Sequence, residues 1–443
     1  MKFTRVFAFM ALAGLAGSAY ATNGYFSHGY GMKAKGMAGA SSTNTEDTFF
    51  GANNPAAAAF VGNRIDLGAD LFSPIREYSR TGSFDGAGFG GTGFFDGSVE
   101  SDAELFLIPE FGYNYMVNSN LALGVTVYGN GGMNTDYATG QLDMGMCMQG
   151  PPNGQPANML CGQDALGVDL MQLIIAPTAA FKIAPNHSIG ISPLLGYQRF
   201  KAYGLQGFSP LSNDPSNLTN NDYDDGFGWG VRVGYLGKIT PTITIGAAYA
   251  SKMDFQEFDK YSGLFAEQGD FDIPENYNLG VAWQATPALK LALDYQRINY
   301  SGVDSVSNTS EPAISFPCGN GNPTCLGGSS GIGFGWEDMD VWKLGMEYKY
   351  SKQWTMRAGY SHTDQPIPSA DVTFNSVAPA VIDDHITLGF TYTLASGNEV
   401  TMAYMHGFSN DVSGPVNQYF PVGGTDKIEM YQNSLGIQYS WKM

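Results

Sequence analysis

Four basic residues stand where they could pair with a carboxylate. Arg232, Lys252, Lys343 and Arg357 each fall in a stretch that alternates apolar and polar residues, on the phase opposite to the apolar ones. A guanidinium or ammonium held on the inner face of such a stretch makes a strong charge-assisted hydrogen bond to an anionic head group. The four cysteines form two close pairs, Cys147 with Cys161 and Cys318 with Cys325, and in an oxidising compartment each pair can close a disulfide within its own loop. A metal site is the competing reading, but neither pair has a histidine at ligand spacing. The five histidines are scattered and only His385 falls on an inward phase; with no nucleophile to set beside it, catalysis has little support and neither cofactor nor metal is expected.

These residues need elements that hold them facing inward, and the alternation supplies them. From residue 64 the period is two, and short and long breaks take turns. Strands are predicted near 64–78, 103–117, 120–130, 168–183, 186–202, 226–239, 242–256, 274–285, 288–301, 336–350, 353–364, 382–394, 397–410 and 428–442. All fourteen are long enough to cross a bilayer at a tilt. Tight turns fall at Asn118-Ser119, Ala184-Pro185, Thr240-Pro241, Thr286-Pro287, Ser351-Lys352 and Ala395-Ser396, and the other seven connections are long and polar. This is the pattern of a 14-stranded antiparallel outer-membrane β-barrel, an all-β transmembrane fold with short periplasmic turns and long outer loops. Phase sends Leu121, Leu123, Val125 and Val127 toward lipid and Ala122, Gly124, Thr126 and Tyr128 inward. Eleven charged residues read as inward: Arg64, Asp66, Asp70, Glu110, Arg232, Lys252, Asp294, Lys343, Glu347, Arg357 and Glu399. A lipid-facing Arg or Lys would cost about 2–4 kcal/mol at the midplane, which is why charge and phase agree.

Export is read from the first residues. Lys2 and Arg5 precede an apolar run from Val6 to Ala16, and Ala19-Tyr20-Ala21 is a small-x-small cleavage site, so residues 1–21 read as a signal peptide. Beyond them no apolar run approaches the roughly 20 residues of a spanning helix. With 25 Tyr, 28 Phe, 58 Gly and only 14% charged residues, the chain has too little charge for an ordinary soluble surface. Its net charge of -19, or -21 once Lys2 and Arg5 are removed, argues against nucleic-acid binding.

Residues 22–63 do not alternate, and form a domain apart from the barrel of residues 64–443. They run Gly24-Tyr25, Gly36-Met37-Ala38-Gly39-Ala40, Glu46-Asp47 and Asn54-Pro55-Ala56. This ordered set, after a signal peptide and before fourteen strands, resembles the hatch of the FadL family of outer-membrane long-chain fatty acid and hydrocarbon transporters. The resemblance implies an N-terminal hatch, or plug, in the lumen, held by Asn54, Pro55 and Ala56. It also implies passive uptake: capture at outer loops, binding in an apolar pocket, and release sideways into the membrane at a kink of the third strand. Here that strand reaches Gly129-Asn130-Gly131-Gly132, where the glycines either allow a bulge and weaken pairing or simply start the long third loop. The third loop, Thr135 to Gly167, holds Met144, Met146, Met148, Met159 and Leu160, a flexible apolar surface suited to capture. Long-chain fatty acids are the expected ligands, with alkanes or aromatic hydrocarbons as the alternative and a hydrophilic porin as the rival of another class. Expected partners are thus a hydrophobic small molecule and outer-membrane lipid, with the chain acting as a monomer.

Overall fold

Because each alternating segment has one apolar face and one polar face, the strands can bury neither alone and close on each other instead. The computed structural model describes residues 23–83, 93, 95–142, 156–420 and 422–443. Its long strands are β1 (Arg64–Thr81), β2 (Phe106–Met116), β3 (Leu121–Tyr137), β4 (Leu166–Ala184), β5 (His187–Tyr203), β6 (Asp224–Lys238) and β7 (Ile243–Ala250). They continue as β8 (Asn276–Gln284), β9 (Leu289–Ile298), β10 (Met339–Lys349), β11 (Trp354–Thr363), β12 (Asp384–Thr393), β13 (Glu399–Pro415) and β14 (Thr425–Lys442). Each pairs antiparallel with the next, and β14 pairs with β1 from Arg64↔Lys442 to Thr81↔Thr425, which closes a fourteen-stranded barrel. Two short pieces add to it, Gly97–Glu100 against β1 and Asp254–Phe255 against β6.

Large apolar residues cover the outer face, among them Leu123, Ile191, Trp283, Leu344, Leu388 and Ile437. Ten of the eleven charged residues read as inward are buried; Lys252 is the correction. The strand expected over 242–256 ends at Ala250, so Lys252 lies past it, with a side chain 43% exposed and paired to Asp272 at 2.6 Å. In the opposite direction β3 runs on to Tyr137, past the glycines at 129–132, and the third loop shortens to 138–165.

Residues 23–63 contain only one-turn helices and lie almost wholly buried. A buried segment without regular structure must find partners for its backbone donors elsewhere. It finds them around the inner wall: Gly31 N donates to Glu110 at 3.1 Å, Gly51 N to Thr126 at 3.1 Å, Ser41 N and Ser42 N to Asp294 at 2.8 and 2.7 Å, and Met32 N to Gln438 at 3.0 Å. Ion pairs add to this: Lys33 with Glu399 at 2.8 Å, Lys35 with Asp70 at 2.6 Å, and Glu46 with Lys290 at 2.9 Å and Arg357 at 3.2 Å.

Burial alone would push the Glu46 carboxyl up, but Lys290, Lys33 and Arg357 together hold it well below the ordinary 4.5. A carboxyl depressed on docking contributes stability that is complete above its ordinary value and is lost as pH falls through the lowered one. The segment should therefore resist protease equally between about pH 5 and 8, and become cleavable only at stronger acidity. Limited proteolysis across that range checks this; loss of protection near neutrality would remove Glu46 as the anchor.

Candidate functional site

Asn54-Pro55-Ala56 forms a tight turn that the wall grips. Asn54 Oδ1 accepts from Ala56 N at 3.1 Å, while its Nδ2 donates to Ser42 O at 2.8 Å and to Tyr235 O on β6 at 2.9 Å. Ser188 Oγ on β5 donates to Ala56 O at 2.8 Å. A Cβ at Gly234 would lie 2.1 Å from Asn54 Oδ1, so the wall can press on the turn only where it lacks side chains. Near this turn lies an apolar groove of about 700 Å³, edged by Phe181, Ile189, Val233 and Leu279, whose side chains are exposed on the outer face.

The third strand is irregular at the glycines. Its pairing to β4 slips by one residue between Gly129 and Gly131, a bulge, and there the N-terminal segment takes hold. Ser27 N donates to Asn130 O at 3.1 Å, Gly132 N donates to Tyr25 O at 3.2 Å, and Phe26 bridges Gly131. Tyr30 Oη donates to Asn130 O at 2.9 Å while its ring meets Tyr128 edge-on at 4.8 Å. Glycines 129, 131 and 132 and Asn130 thus sit at a junction of wall and N-terminal segment.

Of the four basic residues, two share one cavity. Arg232 and Lys343 line a narrow space with room for about one water, together with Phe26, Tyr30, Asn276 and Asp294. Arg232 is 4% exposed, reaches Asn276 Oδ1 at 3.4 Å, and its Nη1 has no partner. Lys343 Nζ donates to Gln296 Oε1 at 2.7 Å and His28 O at 3.3 Å. The one carboxylate lining the cavity, Asp294, spends Oδ2 on the two backbone donors above and leaves Oδ1 unpartnered. Two cations against one carboxylate leave the cavity short of negative charge. Arg357 is different: Glu347 at 2.7 Å and Glu46 neutralise it.

Phe26, which lines the cavity, belongs to a buried aromatic cluster. Phe26 packs against Tyr25 at 5.5 Å and Tyr300 at 6.1 Å, and Tyr25 meets Trp336 at 5.9 Å and Phe271 at 5.9 Å. This cluster continues into a loop core that includes buried Met159 and Leu160. Met144, Met146, Met148 and Cys147 lie outside the described residues, as do residues 1–21; Cys318 and Cys325 are joined as a disulfide. His385 stacks on His28 at 5.9 Å, and the sequence offered no sign of Ser361 Oγ 3.4 Å from its Nδ1. Asp384 supports no triad there, because it bonds Tyr360 and His362 on the other face of the wall. Among the described residues no group of three or more His, Cys, Asp or Glu could hold a metal ion.

Residues 13–420 match the model of the family described as outer membrane protein transport protein (OMPP1/FadL/TodX). No curated protein matches the sequence. Among solved structures, the P. putida toluene transporter TodX is 19% identical with a TM-score of 0.65, covering 94% of this chain and 99% of its own. A Pseudomonas aeruginosa FadL homologue is 18% identical with a TM-score of 0.68, covering 96% and 99%. The Ralstonia pickettii toluene transporter TbuX is 16% identical with a TM-score of 0.61, covering 94% and 99%. Likeness at this identity establishes the shared barrel fold.

Proposed function

Because the chain belongs to the OMPP1/FadL/TodX family of outer-membrane transport proteins of Gram-negative bacteria, we propose that it carries long-chain fatty acids inward without energy input. The observation that carries this is the cavity where Arg232 and Lys343 outnumber Asp294. A ligand carboxylate, admitted as the N-terminal segment shifts and widens this space, supplies the missing charge and takes the free Nη1 of Arg232. The chain of the ligand then lies among Tyr25, Phe26, Tyr300 and Trp336, where burial contributes about 0.8 kcal/mol per CH2. A hydrophilic channel would gain nothing from such a lining, and its lumen would not be filled by a bonded segment.

In this reading residues 1–21 are the export signal, residues 22–63 form the hatch held by Asn54, Pro55 and Ala56, and the outer loops capture the ligand. It leaves sideways past Gly129, Asn130, Gly131 and Gly132. Lys252 and Arg357 have no part in holding the head group, since both are already paired to carboxylates. A second reading, uptake of aromatic hydrocarbons, is favoured by the ring-lined core and by solved structures of this fold named as toluene transporters.

Arg232→Gln and Lys343→Met test the choice. Each should weaken oleate binding to the purified protein by about tenfold, the loss of one charged hydrogen bond, and leave toluene uptake unchanged. Unaltered oleate affinity in both variants would discard the carboxylate site, and uptake confined to toluene would establish the hydrocarbon reading.

A further inference from the structure

The wall of the barrel has a window. Between β2 and β3 the ladder runs only from Met116↔Ala122 to Phe111↔Val127. Past that pair, Phe106–Glu110 bond to β1 and Tyr128–Tyr137 bond to β4, with no pairing across the space between. Higher up the sides meet again, where Ser101 bridges Tyr137 and Asp102 N donates to Asp136 O at 2.8 Å. The opening is therefore framed all round.

Arg76 of β1 laces its upper rim. One terminal nitrogen donates to the carbonyl of Asn134 on β3, and the other to the carbonyl of Ala103 just before β2. The residue is 3% exposed and its Nε has no partner. Arg80, on the same face of β1, pairs with Asp426 at 2.7 Å; Arg76 has carbonyls where Arg80 has a carboxylate. Ala103 also packs against an apolar cluster of Phe72, Phe106, Ile108 and Met405. The window thus combines an apolar wall with a desolvated cation whose partners are neutral, and a carboxylate is a stronger partner for a guanidinium than two carbonyls.

We propose that Arg76 is a specificity-determining residue of the window: it takes the carboxylate of an amphiphile in transit and, between passages, ties β3 to the segment before β2. This rests on the fatty-acid reading above. Neutral ligands gain nothing from the exchange of partners, whereas an ionised head group would otherwise cross an apolar opening unpaired.

The test compares uptake of palmitate with that of hexadecanol, equal in length and uncharged, in cells carrying the native protein, Arg76→Met or Arg76→Lys. Palmitate binding to each purified protein is measured alongside. Palmitate uptake by the native protein decides the fatty-acid reading by itself, and its absence overturns both. Given that uptake, Arg76→Met should lower palmitate uptake about tenfold, leave palmitate affinity within about twofold, and maintain hexadecanol uptake. Equal losses for both ligands would make Arg76 a strut and overturn the proposal, as would unchanged palmitate uptake. Should the Met variant fail to reach the membrane, judged by heat-dependent gel mobility, Arg76→Lys decides. It retains charge without the planar fork, so palmitate uptake must fall relative to hexadecanol.

Discussion

Replacing Gly131 by alanine is expected to lower ligand uptake at least about tenfold while the barrel stays folded. A Cβ at this position would lie 1.6 Å from Tyr25 O, nearer than any non-bonded contact, and that oxygen is backbone that cannot rotate away. Tyr25 is itself fixed, since its N donates to Tyr300 Oη at 3.2 Å and its ring is packed by Trp336 and Phe271. The third strand must therefore retreat, losing the Gly132 N to Tyr25 O and Ser27 N to Asn130 O bonds. Its free edge then approaches β2, whose Phe106–Glu110 stretch has no partner on that side, and the window narrows. Uptake of labelled oleate and toluene, with amide exchange at residues 25–27 as the structural readout, checks this. Faster exchange with unchanged uptake would separate the glycine junction from transport.

The window shows what a sequence can and cannot reveal. Strand phase is a local property, so the alternation in β3 and β10 was legible and the lipid-facing residues fell where expected. Strand ends were less so: Lys252 continues the alternation of β7 in type, but the chain has already left the wall. Pairing is non-local, and nothing within residues 106–110 or 128–137 distinguishes a strand that bonds its neighbour from one that does not. The glycines hinted at a bend, yet equally at the start of a loop. Only the bulge between Gly129 and Gly131 and the Phe26 bridge decide between them.

The same limit governs the cations. Arg232, Lys343 and Arg357 are equivalent by phase, and the N-terminal segment makes them different by carrying Glu46 to Arg357, 311 residues away, and no carboxylate to Arg232. Arg76 shares its face with Tyr78 and Arg80, so alternation alone could have marked it as inward. That it would meet carbonyls instead of Asp426 required the three-dimensional register.

Lys35 is where the N-terminal segment is expected to be most vulnerable. Its Nζ lies 2.6 Å from Asp70 Oδ2 and 3.2 Å from Glu110 Oε1, and all three side chains are almost wholly enclosed. Lys35→Met leaves two neighbouring carboxylates buried without their cation, at a cost of about 3–5 kcal/mol. Ser434 Oγ on Asp70 at 2.6 Å and Gly31 N on Glu110 at 3.1 Å remain, but neither carries a charge. The cheapest relief is for the segment to leave the wall and admit water, so the variant should conduct ions in planar bilayers and lose protease protection around Lys33–Met37. Removing the stranded charges as well, in Lys35→Met with Asp70→Asn and Glu110→Gln, should restore a closed and protected state, because a neutral polar cluster of the same shape carries no such penalty. A Lys35→Met protein as silent and as protected as the native one would show that the ion pairs of Lys33 and Glu46, with the backbone bonds to Asp294, Thr126 and Gln438, hold the segment without Lys35. If instead the triple variant conducts like the single one, the carboxylates anchor the segment through Ser434 and Gly31 as much as through Lys35.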